Sequence, residues 1–595
     1  MSTASHSIDF KPPAPGSAPA SGAAAAPVAR RAGGSERSRL NPAQRALDLA
    51  AASAGTADVI VIGAGVTGAG AALDAAARGL SVVLVEAGDL AVGTSSRSGK
   101  AFHGGLRYLE QLNFKLVAHA IAERDLMVKR LCPHMAWPES FVYPLTRHWE
   151  RPYVGAGVLL YDLFGLKERA VPLQKHFSRS GLKAHIPSID DGSVVGGIQY
   201  YDALMDDARH TLAVARTAAG QGARVLTSAP VVDFVRDEQG RVGGVVIQDK
   251  VDGRRHVLRA RSVINAAGIW ADELQQLAGA RTFRVQPAKG VHLLLRPEAI
   301  ASNAGILARA TDSVIIARRW YGYWLVGTTD TPWQGNKSRP VAERADIDYL
   351  LENLNRYLER KVTPDDVLGT FAGLRPLLKP VDGSDTTSAL SRDHAVLDGP
   401  PGLTTIVGGK YTTYRRMAED AVDAALRPLG VQARSRTATL PLLGAERWQE
   451  TAARADAIAA RHRLPPETVA HLFKRHGDCT EEVLALADPA AGGQAELARP
   501  LEGAPRYLAA ELVYAVQSEG ARSLVDVMVR RTHLSIELSD GGLALAPCVA
   551  GLIAPHLGWS AAQTEEQLRA YRELIAAERV ALEECKRSVG SRSQA

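Results

Sequence analysis

Gly63, Gly65 and Gly68 stand directly after an apolar, β-branched run and open a stretch of small residues, with Glu86 closing the next apolar run. That pattern suits a dinucleotide: the first glycine allows a tight turn, the second lets a pyrophosphate approach the backbone, and the third lets a helix close on its strand. The helix N-terminus then offers N–H groups and positive potential to the phosphates. Glu86 suits an adenosine ribose and repels a 2′-phosphate, which favours FAD or NAD over NADP. A second set, Arg107, Arg375, Arg392 and Lys410, falls in turn contexts rich in glycine or proline, where side chains converge at strand ends. Arginine pairs with phosphate through parallel N–H donors and lysine acts as a point charge, so the set suits a phosphorylated ligand.

The elements that must position these groups can be read from hydrophobic periodicity. Strand 58–63, helix 69–78 and strand 80–86 make a βαβ unit. Strand 263–268 ends on Gly268, and strand 404–407 runs into Gly408, Gly409 and Lys410 before an amphipathic helix over 412–426. Runs 231–235 and 244–248 read as a hairpin, and 291–295, 314–317 and 323–327 suit an antiparallel sheet. Beyond about residue 435 the pattern predicts helices, among them 446–461, 505–518 and 562–579. The expected architecture is α/β, a Rossmann-like FAD-binding domain interleaved with an antiparallel-sheet substrate domain, plus a C-terminal all-helical domain. The nucleotide parts are 46–135, 205–285 and 370–430, the substrate parts 136–204 and 286–369, and the helical part 435–595.

Composition limits the function classes. A chain of 595 residues, 46% hydrophobic and 23% charged with mean hydropathy −0.08, is a multidomain globular protein. Its four cysteines make no C-x-x-C pair, which excludes a disulfide scaffold and the usual zinc signatures, so no metal is expected. The net charge of +6 sits largely in residues 1–45, where six basic side chains oppose two acidic ones. This Ala/Pro/Gly-rich stretch reads as a disordered basic tail, without the apolar segment of a secretion signal, and folded structure is expected to begin with a helix over 42–52. With no basic stripe interleaved with aromatics, nucleic acid is not an expected partner. The uncharged run 541–559 is broken by Pro547 and Pro555, which argues against a membrane span.

The runs 93–110 (GTSSRSGKAFHGGLRYLE), 373–376 (GLRP), 391–393 (SRD) and 408–415 (GGKYTTYR) occur in the order of the FAD-dependent, quinone-linked glycerol-3-phosphate dehydrogenase family, which the chain resembles over roughly residues 57–540. Two departures within these runs are Gly99, where a serine is common, and Ala101-Phe102 in place of a bulkier aliphatic pair; the long N-terminal tail is extra.

The resemblance implies non-covalent FAD, held by Gly63, Gly65, Gly68, Glu86, Thr94, Ser95, Lys100, Val231, Gly268, Gly409 and Lys410, with Lys100 close to the flavin ring. It implies oxidation of glycerol 3-phosphate, with Arg107, Arg375, Arg392 and Lys410 as the cations and Tyr108 orienting the substrate. His103 or His292 accepts the hydroxyl proton, histidine being suited because its ordinary pKa lies near working pH. Electrons pass to a membrane quinone or to oxygen. A quinone-linked enzyme docks peripherally on the cytoplasmic face of the membrane, and the apolar segment 153–164 is a candidate dipping surface. An oxidase acting on an amine or amino acid, a flavin-binding sensor without turnover, and a homodimer stay open from sequence.

Overall fold

The run Thr56–Ile62 is apolar on both faces because, in the computed structural model, it lies in the middle of a parallel sheet covered on both sides. The structure describes residues 34–311, 313–380 and 394–592. Thr56–Ile62 pairs in parallel with Val82–Val85 on one side and Arg255–Asn265 on the other. Arg224–Leu226 extends the sheet beyond Val82–Val85, and Leu403–Gly408 extends it beyond Arg255–Asn265. An antiparallel hairpin, Val231–Arg236 with Val242–Gln248, attaches to the first half of Arg255–Asn265. Helices Val66–Ala77, Asp207–Gly220 and Tyr414–Leu426 pack over one face and bury the alanine-rich side of the first helix. Parallel pairing brings the C-terminal ends of the strands to one edge. Gly63, Glu86, Gly268 and Gly409 therefore share that edge although they are far apart in the chain.

A second, mixed sheet of ten strands lies over this edge. Its central part runs Phe283–Leu295, Tyr323–Gly327, Val314–Trp320, Gly305–Arg309, Ala136–Leu145 and Gly196–Met205. The long strand Val367–Pro380 pairs antiparallel along Phe283–Leu295, setting His292 opposite Phe371. Ala101–Phe102 also joins this sheet, pairing with Gly196–Met205.

Helices dominate beyond Trp448, ending in the 32-residue helix Ala561–Arg592. Within the run expected to be helical over 505–518, Ala504–Leu508 instead pairs with Pro500–Leu501 as a hairpin. Gly503 turns it at φ +83, and the helix starts only at Ala509, where the Glu511 carboxylate accepts the Leu508 N–H. Buried ion pairs tie this unit to the nucleotide domain. Asp89 takes Arg530 at 2.6 Å and Arg531 at 2.7 Å, and Asp206 meets His533 at 2.6 Å. On the last helix, Glu578 reaches Arg97 at 3.4 Å.

Residues 1–33 of the expected tail lie outside the described residues. Its remainder is folded: Leu40 is buried, and the helix expected over 42–52 spans Pro42–Ala54, where Arg45 pairs with Asp249 at 2.7 Å. A buried guanidinium given a carboxylate and the Thr227 carbonyl is fixed in place.

Candidate active site

A cavity of about 1350 Å³ runs between the strand-end edge and the second sheet. At its nucleotide end Gly63 turns at φ +99, and Gly65 caps the helix Val66–Ala77, whose first residues Val66 and Thr67 line the space. A side chain at Gly68 would overlap the Gly63 carbonyl, so this glycine serves the close turn and does not line the cavity. Glu86 is buried, and its two oxygens accept Ala64 N–H at 2.7 Å and Gly88 N–H at 2.8 Å. Burial raises its carboxyl and the two N–H bonds pull it back. Each oxygen keeps a further lone pair for a ribose. Ser95 Oγ accepts the first helical N–H, from Val66, at 2.9 Å, and Thr94 donates to the Leu374 carbonyl. Val231, Gly268 and Gly409 line the same space, the two glycines at positive φ. The helix N-terminus, the ribose acceptor and the size of the cavity fit FAD.

At the other end the sequence-derived cations and histidines meet. Lys410 Nζ lies 3.6 Å from the ring centre of Tyr108, and Arg107 donates to Ser313 Oγ at 2.8 Å. Arg375 is steered by the Thr329 carbonyl, by Thr328 Oγ1 and by Asp330 at 3.1 Å. His103 is anchored through its backbone N–H to Thr412 Oγ1. His292 stacks on Phe371 at 4.9 Å and 13°, in space left by Gly327, whose missing side chain would overlap the imidazole. All six residues line the one cavity. Burial, then Lys410, Arg318 and Arg107, push the His103 imidazole down to about 3. His292 is likewise held well below its ordinary value by burial, then by Arg318 and Arg375. In both, burial favours the neutral imidazole, the form that can accept a proton.

Arg392 lies outside the described residues. Lys100 turns away from the cavity: its ammonium pairs with Asp207 at 2.5 Å and donates to the Ser96 carbonyl at 2.9 Å. A buried ammonium needs an anion, and Asp207, the first residue of helix Asp207–Gly220, supplies it.

Sequence reasoning missed Arg318, a buried guanidinium on Val314–Trp320 that lines the cavity beside His292. The signal was alternation: Val314, Ile316 and Arg318 share one strand face and all line the cavity, while Arg319 is exposed on the other.

Residues 58–415 match the model described as FAD dependent oxidoreductase, which is the class that the nucleotide cradle and covering sheet define. Residues 435–564 match the C-terminal domain of alpha-glycerophosphate oxidase. The glycerol-3-phosphate dehydrogenase of Mycobacterium leprae is 46% identical over 544 residues, covering 91% of this chain and 92% of that protein. The human mitochondrial glycerol-3-phosphate dehydrogenase is 34% identical over 540 residues, covering 87% and 73%. The structure of the Bacillus halodurans glycerol-3-phosphate dehydrogenase complexed with FAD superposes with a TM-score of 0.75 at 28% identity, covering 90% of this chain and 97% of that one. The chain belongs to the family of FAD-dependent glycerol-3-phosphate dehydrogenases.

Proposed function

We propose that the protein oxidises sn-glycerol 3-phosphate to dihydroxyacetone phosphate and passes the electrons to a membrane quinone. The observation that carries this reading is the convergence of Arg107, Lys410, Arg375, His103 and His292 at one end of a cavity whose other end is a dinucleotide cradle. Bound FAD supplies a hydride acceptor. Arg107 and Lys410, both over the Tyr108 ring, take the phosphate by charge-assisted hydrogen bonds, and Tyr108 fixes where it sits. Holding the remote phosphate orients the reacting carbon, so unphosphorylated glycerol is a poor substrate. A neutral imidazole, His292 or His103, takes the hydroxyl proton, and Arg375 steadies negative charge on the oxygen. Anaerobic addition of glycerol 3-phosphate to the holoenzyme tests this: the oxidised-flavin absorbance bleaches, and persistence of the band at saturating substrate rejects the reading.

The quinone and a peripheral membrane contact are supported by an apolar collar at the cavity mouth. Helix Glu150–Phe164 turns Val154 and Leu160 toward the cavity and exposes Leu159 and Leu163, with Trp149 exposed just before it. Leu112, 73% exposed, and Phe114 stand at the same mouth. An apolar acceptor reaching the cavity through this collar would not cross water. No described helix is long and apolar enough to span a membrane.

A further inference from the structure

Among the described residues the buried cations find anions almost everywhere: Lys100 has Asp207, Arg124 has Asp202 and Arg415 has Glu123. Arg318 is the departure. Its side chain is as buried as theirs at 3% exposure, it lines the cavity, and no described carboxylate forms an ion pair with it, Asp207 acting on its charge from further away while paired to Lys100. Its Nε is enclosed with no hydrogen-bond partner, and so is Nδ1 of the neighbouring His292. The two side chains meet where residue 99 has no side chain: a Cβ there would stand 3.0 Å from Arg318 Nη2 and 3.6 Å from His292 Nε2. Gly99, one of the two departures from the family run, is therefore what makes room for the guanidinium.

A buried charge without an anion is costly unless a ligand completes it. The phosphate is already provided for at the Arg107, Tyr108 and Lys410 cluster. The second cluster, His292 with Arg318, pairs a proton acceptor with a cation, which is what a reacting hydroxyl needs. We propose that Arg318 donates to the C2 oxygen of the bound alcohol and stabilises the negative charge that gathers on it during oxidation; this rests on the function proposed above. In that step the O–H bond breaks and its proton goes to His292. The C2–H bond breaks with its electron pair, leaving as hydride for which FAD is the acceptor, and the C2–O bond becomes a carbonyl. Arg318 itself exchanges no proton. Its field also falls on both histidines, being the first charge that holds His292 down and the second that holds His103 down.

The test uses the FAD-loaded enzyme with Arg318→Met, Arg318→Lys and Gly99→Ser. Stopped-flow flavin reduction by glycerol 3-phosphate is measured with the binding of methyl phosphate and of phosphoglycolate, whose carboxylate stands where the C2 oxygen would. Arg318→Met is expected to slow reduction about 100-fold and to weaken phosphoglycolate about tenfold or more, while methyl phosphate stays within about twofold. Arg318→Lys recovers part of the rate. Gly99→Ser, which crowds the guanidinium while leaving the charge in place, slows reduction even if Arg318→Met fails to load FAD. Equal weakening of methyl phosphate, or an unchanged reduction rate in both Arg318→Met and Gly99→Ser, overturns the proposal. If the unmodified enzyme is not reduced by glycerol 3-phosphate but phosphoglycolate still depends on Arg318, the proposed function fails and the anion site stands.

Discussion

Lys410 holds its ammonium 3.6 Å above the centre of the Tyr108 ring, and the Arg107 guanidinium lies 5.7 Å from the same centre. Tyr108 comes from the short turn Leu106–Leu109 and Lys410 follows the strand Leu403–Gly408, so this contact closes the two sheets on each other at the proposed phosphate end. An aromatic ring that attracts both cations offsets part of their mutual repulsion until an anion arrives.

Lys410→Met is expected to raise KM for glycerol 3-phosphate about 10- to 100-fold, a loss of the size of one charge-assisted hydrogen bond, and to leave the weak reaction with glycerol nearly unchanged. Steady-state assays with a soluble dye as acceptor check this. Equal losses with both substrates would remove Lys410 from phosphate binding.

Burial pushes His103, His134 and His210 each down to about 3. The unfolded chain binds protons near pH 6.5 that the native state refuses, so the stability these groups hold above about pH 6.5 is lost as pH falls toward 3, at up to about 1.4 kcal/mol per pH unit for each. Urea midpoints at pH 7.5, 6 and 5 should fall in that order. His210, which does not line the cavity although its partner Tyr411 does, is the one to replace: His210→Asn should flatten the trend by about one proton.

Asp89 pairs with two arginines of the helical unit and follows Glu86 by one short loop. Asp89→Asn leaves both guanidinium groups buried with less charge opposite them. It should cost about 3–5 kcal/mol and release FAD more easily. Thermal melts with and without added FAD read both effects.

Leu159→Glu with Leu163→Glu places charge on the exposed face of the collar helix. We expect loss of co-sedimentation with anionic vesicles and of quinone reduction, with dye reduction intact. A double variant that still reduces quinone at the normal rate would remove the collar from the electron path.

Lys100→Met strands Asp207 among buried neighbours. It should destabilise the fold by about 3 kcal/mol or more, with flavin reduction slowed no more than stability explains. A large fall in reduction rate at unchanged stability would return Lys100 to the flavin.

The nucleotide cradle was legible because its physics is local: Gly63, Gly65 and Gly68 answer to one turn, and Glu86 sits at the end of the adjoining strand. His103, Arg107, Arg375 and Lys410 were legible only as separate motifs, since nothing local says that turns hundreds of residues apart share a cavity. Lys100 misled for the same reason in reverse. Its motif fits the cofactor, but its partner Asp207 belongs to another helix, and the direction of the side chain was settled there. Arg318 showed the right alternation on Val314–Trp320, yet which face looks into the cavity depends on how the sheet lies over the strand ends. The hairpin at Ala504–Leu508 was hidden by an apolar run that serves strand and helix alike until Gly503 and Glu511 divide it.

Arg97, on the cavity wall, pairs with Glu578, 481 positions later in the chain. A polypeptide emerging from the ribosome therefore exposes its glycine turn early but cannot complete that wall until the helix Ala561–Arg592 has been made as well. The nascent protein must wait for that distant helix before the flavin compartment is whole.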